Sequence, residues 1–427
     1  MYSRLNFFPS AGSSNEPSTN LQSFLTHFPK QEFWRFFVER TRYDLRPFVY
    51  RELYYKLVGN KEYVPLAEIK EFIKNQNMSI HHLDSFRDHY VEDIIKLFKA
   101  TDKGDELVID VIEGDGYEPA WINFEQSEPG YLKHVTEGFC FILDHLDSPA
   151  PLSNEFIKRL HEISTKGVEN MIEQIPGQFR NGTAAWGMTA NFDTISGLTE
   201  SLTYLKSLEK QHQIPGVRLA IVQGSGALQI INTFADREPE ELAKECMEYI
   251  KHGATIYYET HDVKLNAEFL DKVTKNLITE LNNSLSRAVS EEDKLKAIFT
   301  FIKYSVLHHP FTDGVGRTYS MILLQYLLMK ENLSPFLIEN SNIIPGFSVD
   351  QMISIYLHGR EEMNMILKDP AYINSSSFFE PNISTEETLQ KAPDELTAIF
   401  QECQAMWSEH VTGCLERMTQ QSTLGAR

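Results

Sequence analysis

Apolar residues recur at three- and four-residue intervals along most of the chain, so most of its elements are predicted to be helices. Over 21–98, Phe33, Phe36 and Phe37, then Leu53, Tyr54 and Leu57, share helix faces. A periodic aromatic stripe of this kind packs inward more readily than it lines a ligand site. Residues 21–130 therefore read as a helical accessory domain, preceded by a polar, disordered N-terminus at 1–20. Within 106–120 an apolar run ends in glycine-rich turn residues and predicts a short strand. After Pro149 and Pro151, Ser153 precedes a helix with Phe156, Ile157, Leu160 and Ile163 on its apolar side, and Pro176-Gly177 makes a turn. Over 217–234, two β-branched runs flank Gly224-Ser225-Gly226 and read as a hairpin between polar helices at 199–211 and 238–250. The glycines lack the spacing of a dinucleotide fingerprint, and no helix follows them.

The stretch "ATIYYETHDV" after Gly253 is short and β-prone. Asn266 caps the next predicted helix, with Leu270, Val273, Leu277 and Leu281 on one side. Ser290 and Asp293 open another in the manner of a capping box, and its core face runs from Leu295 through Ile298, Phe299 and Ile302 to Val306. A loop interrupts at 309–316. Beyond it 319–329 is apolar nearly all round, which predicts a buried central helix. Met352, Ile353 and Tyr356 lie on a later helix, where Tyr356 reads as core rather than as a base-stacking ring. The chain turns polar near Asn374, and 375–427 reads as a C-terminal helical appendage.

Composition narrows the function. The 60 acidic residues outnumber the 40 basic ones, for a net charge of −20. That balance opposes a nucleic-acid partner or an anionic membrane surface, both of which need basic patches. No apolar run is long enough to span a membrane. The N-terminus lacks the basic start and apolar core of a Sec signal peptide, so a cytoplasmic protein is expected. Delivery into a host cell as an effector, by a machine that needs no such peptide, is compatible with the same sequence. Cys140, Cys246, Cys403 and Cys414 form no CxxC pair and read as free, buried thiols.

The segment "HPFTDGVGRT", 309–318, carries the chemistry. Two helical patterns flank a loop with Gly314 and Gly316, which allow positive φ and let backbone N–H groups converge on an anion. The loop opens the N-terminus of the next helix, where orphan N–H groups favour phosphate. Asp313 offers a hard carboxylate oxygen suited to Mg²⁺. Arg317 can clamp phosphate oxygens through its planar fork. His309 can take a proton from a hydroxyl near neutral pH. Each residue alone could be an ordinary capping or core residue; the set within nine positions suits phosphoryl or nucleotidyl transfer. A second cluster, "HHLDSFRDH" at 81–89, fits no standard metal spacing and reads as a polar helix face. His308 adjoins His309 but points elsewhere on a helix.

The loop resembles the motif of the Fic family, His-x-Phe-x-Asp/Glu-Gly-Asn-Gly-Arg-x-x-Arg, with His309, Phe311, Asp313, Gly314, Gly316 and Arg317 in place. "FIKRLHEI" followed by "PGQFRN" is similar to that family's earlier helix and Pro-Gly-x-Phe-Arg turn. The resemblance covers 150–370, with 183–253 as an insertion. It implies a mainly α fold, a helical bundle with a short β-hairpin flap, and transfer of AMP or a related phosphate moiety from ATP or another nucleotide to a Ser, Thr or Tyr hydroxyl of a target protein. By resemblance His309 is the general base and Asp313 the Mg²⁺ ligand. The nucleotide site comprises Phe311, which anchors the loop, with Gly314, Val315, Gly316 and Arg317. The flap at Ile256, Tyr257 and Tyr258 holds the target by strand addition.

Two positions depart from the motif. Val315 replaces an asparagine whose side chain donates a hydrogen bond to phosphate, a loss of about 3 kcal/mol of transition-state stabilisation, or about a hundredfold. Ser320 replaces the second arginine and removes a contact to the terminal phosphate. The departures leave three readings: a slow AMP transferase, an enzyme whose donor lacks a γ-phosphate, such as a CDP-linked compound, or a nucleotide-binding pseudoenzyme. The pattern "TKGVEN" at 165–170 also matches the family's inhibitory helix, although it falls within a different predicted helix.

Overall fold

A computed structural model describes residues 120–171, 175–182, 185–188, 193–212, 217–223, 227–231, 237–251, 255–260, 266–336, 343–368 and 394–425. The N-terminal region 1–20, the accessory segment through 119, the strand expected within 106–120 and the 81–89 cluster lie outside the described residues, except for the helix beginning at Ala120. The fold is mainly helical, as the apolar periodicity predicts and as the Fic resemblance implies.

The helices are α1 (Ala120–Ser127), α2 (Tyr131–Asp144), α3 (Asn154–Thr165), α4 (Ile195–His212), α5 (Pro239–Lys251), α6 (Ala267–Arg287) and α7 (Glu291–His308). After the motif loop come a π-helical segment (Gly316–Leu323), α8 (Leu324–Lys330), α9 (Val349–Lys368) and α10 (Asp394–Gly425). The starts read from sequence are present. Ser153 accepts from Phe156 N–H, Asn266 from Phe269 N–H, and Ser290 with Asp293 forms a reciprocal capping box. Glu125 caps α2 by a different route, its carboxylate accepting from Gly130 N–H at 2.7 Å and Leu132 N–H at 2.8 Å.

One core joins these helices. Phe299, Ile302, Ile322, Leu324 and Tyr356 are buried together, and Tyr356 packs edge-on against Phe299 and Phe336. The C-terminal helix, expected as an appendage, belongs to this core. Phe400, Cys403, Trp407, Val411 and Cys414, at three- and four-residue spacing, are all buried, and Trp407 meets Phe139 of α2 edge-on at 6.3 Å. The four cysteines are buried and free. Among the described residues no helix is long and apolar enough to cross a membrane.

The insertion at 183–253 carries most of a four-stranded antiparallel sheet. Its strands are β1 (Ala185–Met188), β2 (Val217–Gln223), β3 (Ala227–Ile231) and β4 (Thr255–Thr260), in the order β1-β4-β2-β3. The two strands read on either side of 224–226 pair with each other, Gln223 opposite Ala227, while 224–226 themselves lie outside the described residues. The open edge expected at Ile256–Tyr258 is not. Ile256, Tyr257 and Tyr258 lie opposite Met188, Gly187 and Trp186 on one side, and opposite Ile221, Ala220 and Leu219 on the other. Both sides of β4 are already paired, so the outer edges of the described sheet belong to β1 and β3. The four-residue β1 is too short to announce itself by alternation, which is why β4 read as an edge.

Candidate active site

The motif loop begins with an abrupt helix end. His309 is the C-cap of α7, with φ at 45°, in the left-handed region that glycine or asparagine usually fills. A buried arginine holds this turn. Arg180 donates from Nε to His309 O at 2.6 Å, from Nη2 to His308 O at 3.1 Å, and from Nη1 to Gly182 O, while its backbone N–H reaches Pro310 O at 2.9 Å. A cation against the last carbonyls of a helix is favourable both as a hydrogen-bond donor and against the helix dipole. Burial lowers the Arg180 pKa to about 10, which leaves it charged at neutral pH.

The underside of the loop rests on α3. Phe311 is fully buried and stacks on His161 with ring centres 3.7 Å apart and planes 12° from parallel. Gly177 N–H donates to His161 Nδ1 at 2.9 Å. The ring proton therefore sits on Nε2, which donates to Asp313 O at 3.0 Å. Gly314 has φ at 70°, and a Cβ there would come within 2.6 Å of Thr165 Cγ2. Glycine is thus required twice over, by conformation and by space. Gly314 N–H donates to Asp313 Oδ1 at 2.6 Å, and Thr318 N–H donates to Gly314 O at 2.9 Å as the next helix starts. That start has no side-chain cap. It is π-helical, a geometry that is rare and concentrated at functional sites.

The loop divides in two. His309, Thr312, Asp313 and Gly316 are partly exposed. Val315, Arg317 and Ser320 are 3%, 0% and 1% exposed. Phe311 is in the core, as the anchor of the loop is expected to be, while Val315 and Arg317 do not face the loop surface. Phe311 and Val315 belong to the core cluster. Arg317 is not presented at the loop surface: its guanidinium pairs with Glu128, donates to Ser164 O at 3.1 Å, and lies 4.6 Å from the centre of the Tyr131 ring. Burial of a cation demands a partner, and the short turn between α1 and α2 supplies it. The 165–170 pattern is not helical: α3 ends at Thr165, and Gly167 and Asn170 both have positive φ in the turn that follows.

Burial, and secondarily the nearby charge of Arg180, lowers the His309 pKa from 6.5 to about 4, against the opposing pull of Asp313. His309 is therefore neutral at pH 7 and able to accept a proton. The negative charge of an incoming phosphate acts in the opposite sense and raises that value. Asp313 fits a hard cation. It is partly exposed, one oxygen accepts from a backbone N–H, and a carboxylate has further lone pairs to offer. Among the described residues no group of three or more His, Cys, Asp or Glu side chains is set to hold a metal.

Sequence reasoning missed Arg180, His161 and Glu128 as parts of the site. Arg180 and His161 lie in segments that resemble the family, but no spacing rule links either to the loop. Glu128 lies 189 positions from Arg317, and nothing local marks it.

No protein-family model matches the chain. It is 28% identical over 249 residues to the phosphocholine transferase AnkX of Legionella pneumophila, a match covering 56% of this chain and 25% of AnkX. The chain spans about a quarter of the length of that curated relative. The similarity is thus to a transferase, and to one named for moving phosphocholine.

Proposed function

We propose that this chain is a Fic-type transferase that moves a phosphate-bearing moiety from a nucleotide-linked donor to a hydroxyl of a target protein. One observation carries the reading: the His309 imidazole and the Asp313 carboxylate lie on one glycine-shaped loop at an uncapped helix start. In this reading the target hydroxyl attacks the donor phosphorus and passes its proton to His309. The bond from phosphorus to the leaving nucleotide phosphate breaks, and that oxygen takes the electron pair. Backbone N–H groups at the uncapped helix start, from Gly316 on, take up charge on the transferring phosphate. Magnesium, when bound at Asp313, neutralises phosphate charge.

Between AMP and phosphocholine as the moiety, two observations favour phosphocholine from a CDP-linked donor, with CMP leaving. The first is the similarity to AnkX. The second is Ser320: the second motif arginine, which would meet a terminal phosphate, is absent, and a CDP-linked donor has no γ-phosphate. Arg317 enters as the cation beneath the loop, and a direct contact with phosphate requires the Glu128 pair to open. That pair also favours a second reading, a Fic-fold module that binds a nucleotide or a protein without turnover.

The test is Mg²⁺-dependent labelling of proteins in a lysate, with CDP-choline labelled in its phosphocholine group beside α-labelled ATP, wild type against His309→Ala. Labelling that requires His309 supports transfer. Nucleotide binding without labelling from either donor, in a folded protein, selects the binding module.

A further inference from the structure

The insertion does more than carry the sheet, because α4 is fixed along the last turns of α7, the helix that ends at the base. Gly197, Glu200, Ser201 and Tyr204 recur at helical spacing on α4. At one end Lys303 of α7, fully buried, donates from Nζ to Gly197 O at 3.0 Å, Glu200 Oε2 at 3.0 Å and Phe347 O at 2.7 Å. Gly197 sits so close to the 343–348 segment that a Cβ would fall 2.0 Å from Gly346 O. Ser201 Oγ donates to Pro345 O at 2.7 Å. At the other end the Tyr204 ring stacks on Tyr304, centres 3.7 Å apart and planes 1° from parallel, and its hydroxyl lies 2.6 Å from His308 Nε2.

Burial, followed by the charge of Glu280, pushes the Tyr204 hydroxyl well above the usual tyrosine range, so it stays protonated. The protonated hydroxyl is hydrogen-bonded to His308 Nε2, as donor or acceptor according to the imidazole tautomer. His308 is thus held through its ring by Tyr204 and through its carbonyl by Arg180. The next residue is His309, in a backbone conformation that a non-glycine residue adopts only when its surroundings impose it.

We propose that Tyr204 is a positioning residue for the transfer reaction, whose hydroxyl fixes His308 and so imposes the left-handed turn that aims His309 at the loop. The proposal rests on the transferase reading only for its kinetic consequence. The stack on Tyr304 satisfies the packing of the Tyr204 ring without any hydroxyl. The hydroxyl has a separate task, and Tyr204→Phe removes that task alone.

The experiment compares wild type, Tyr204→Phe and Tyr304→Phe in the full chain, with ¹³C,¹⁵N-labelled histidine. Variants His308→Gln and His309→Ala identify the two ring and Cα resonances. In Tyr204→Phe the His308 Nε2 resonance loses its hydrogen-bond shift and His309 Cα moves off its left-handed value. Transfer kcat falls about ten- to a hundredfold, as expected for a misplaced reacting group. Donor KM stays within about twofold, because ground-state binding is untouched. Tyr304→Phe changes none of these. An intact His309 Cα value and unchanged kcat in Tyr204→Phe, with the Nε2 shift gone, would overturn the proposal. If wild type transfers no label, the transferase reading fails by itself. The His309 Cα resonance then decides the positioning claim alone: movement in Tyr204→Phe supports it and constancy refutes it.

Discussion

The two halves of the motif loop obey different constraints. From His309 to Asp313 the polar side chains are partly exposed, and what surrounds them, Arg180 and His161, holds their backbone from below. From Val315 to Ser320 every residue except Gly316 is buried, in the wall of the helical core. The chain keeps the family's residues throughout the open half and departs from them at Val315 and Ser320, both in the buried half. A buried position selects on volume and on satisfied polar groups before anything else, and valine is at home there. The departures thus do not dismantle the half that faces solvent.

The largest effect should come from the open half. His309→Ala should reduce transfer by about 10²–10⁴-fold, the usual contribution of a positioned base, while circular dichroism and thermal unfolding stay close to wild type. Loss of the fold with loss of activity would mean that His309 belongs to the buried half in its energetics.

In the buried half the effects should fall on stability. Glu128→Ala leaves the Arg317 guanidinium buried without its carboxylate and should cost about 3 kcal/mol in urea denaturation, since an uncompensated interior charge is among the most destabilising lesions. A change below about 0.5 kcal/mol, the range of ordinary surface substitutions, would show that Arg317 escapes to solvent when released.

Val315→Asn sharpens the comparison further. It restores the family's residue at a position 3% exposed. We expect a loss of about 1–3 kcal/mol for burying an amide without partners, and no gain in transfer rate. Faster transfer at unchanged stability would show that this side chain reaches the nucleotide after all.

The smallest effect concerns pH. The folded His309 pKa, about 4, lies below its ordinary value of 6.5. The unfolded chain therefore binds the proton first as pH falls. His309 contributes its stabilisation fully above pH 6.5 and loses it between 6.5 and about 4. The loss is on the order of 2 kcal/mol, discounted for partial exposure. It should appear as a difference between wild type and His309→Ala in denaturation at pH 7 and pH 4.5. Parallel pH dependence in the two proteins would contradict the lowered value.

Much of this was legible in the sequence, and for local reasons. Ser153, Asn266 and Ser290 cap the helices they precede, and the strands read on either side of 224–226 pair with each other, because caps and short hairpins are decided within a few residues. His309 and Asp313 are partly exposed on the loop that the motif marked. What sequence did not reveal is long-range. The pairing of β1 with β4 hides the edge expected at Ile256–Tyr258, and the apolar stripe on α10 brings a supposed appendage into the core. The Glu128–Arg317 pair spans 189 positions. A phosphate-binding arginine and a buried, paired one look alike in a motif, since only the fold decides which carboxylate comes near.

The most direct test of the account is the mass of the adduct on a hydroxyl of a target protein after incubation with CDP-choline, ATP and Mg²⁺ together. The account predicts phosphocholine on a Ser, Thr or Tyr side chain, present with wild type and absent with His309→Ala. An AMP adduct would contradict the donor reading, and an adduct that persists without His309 would contradict the proposed chemistry of the open half.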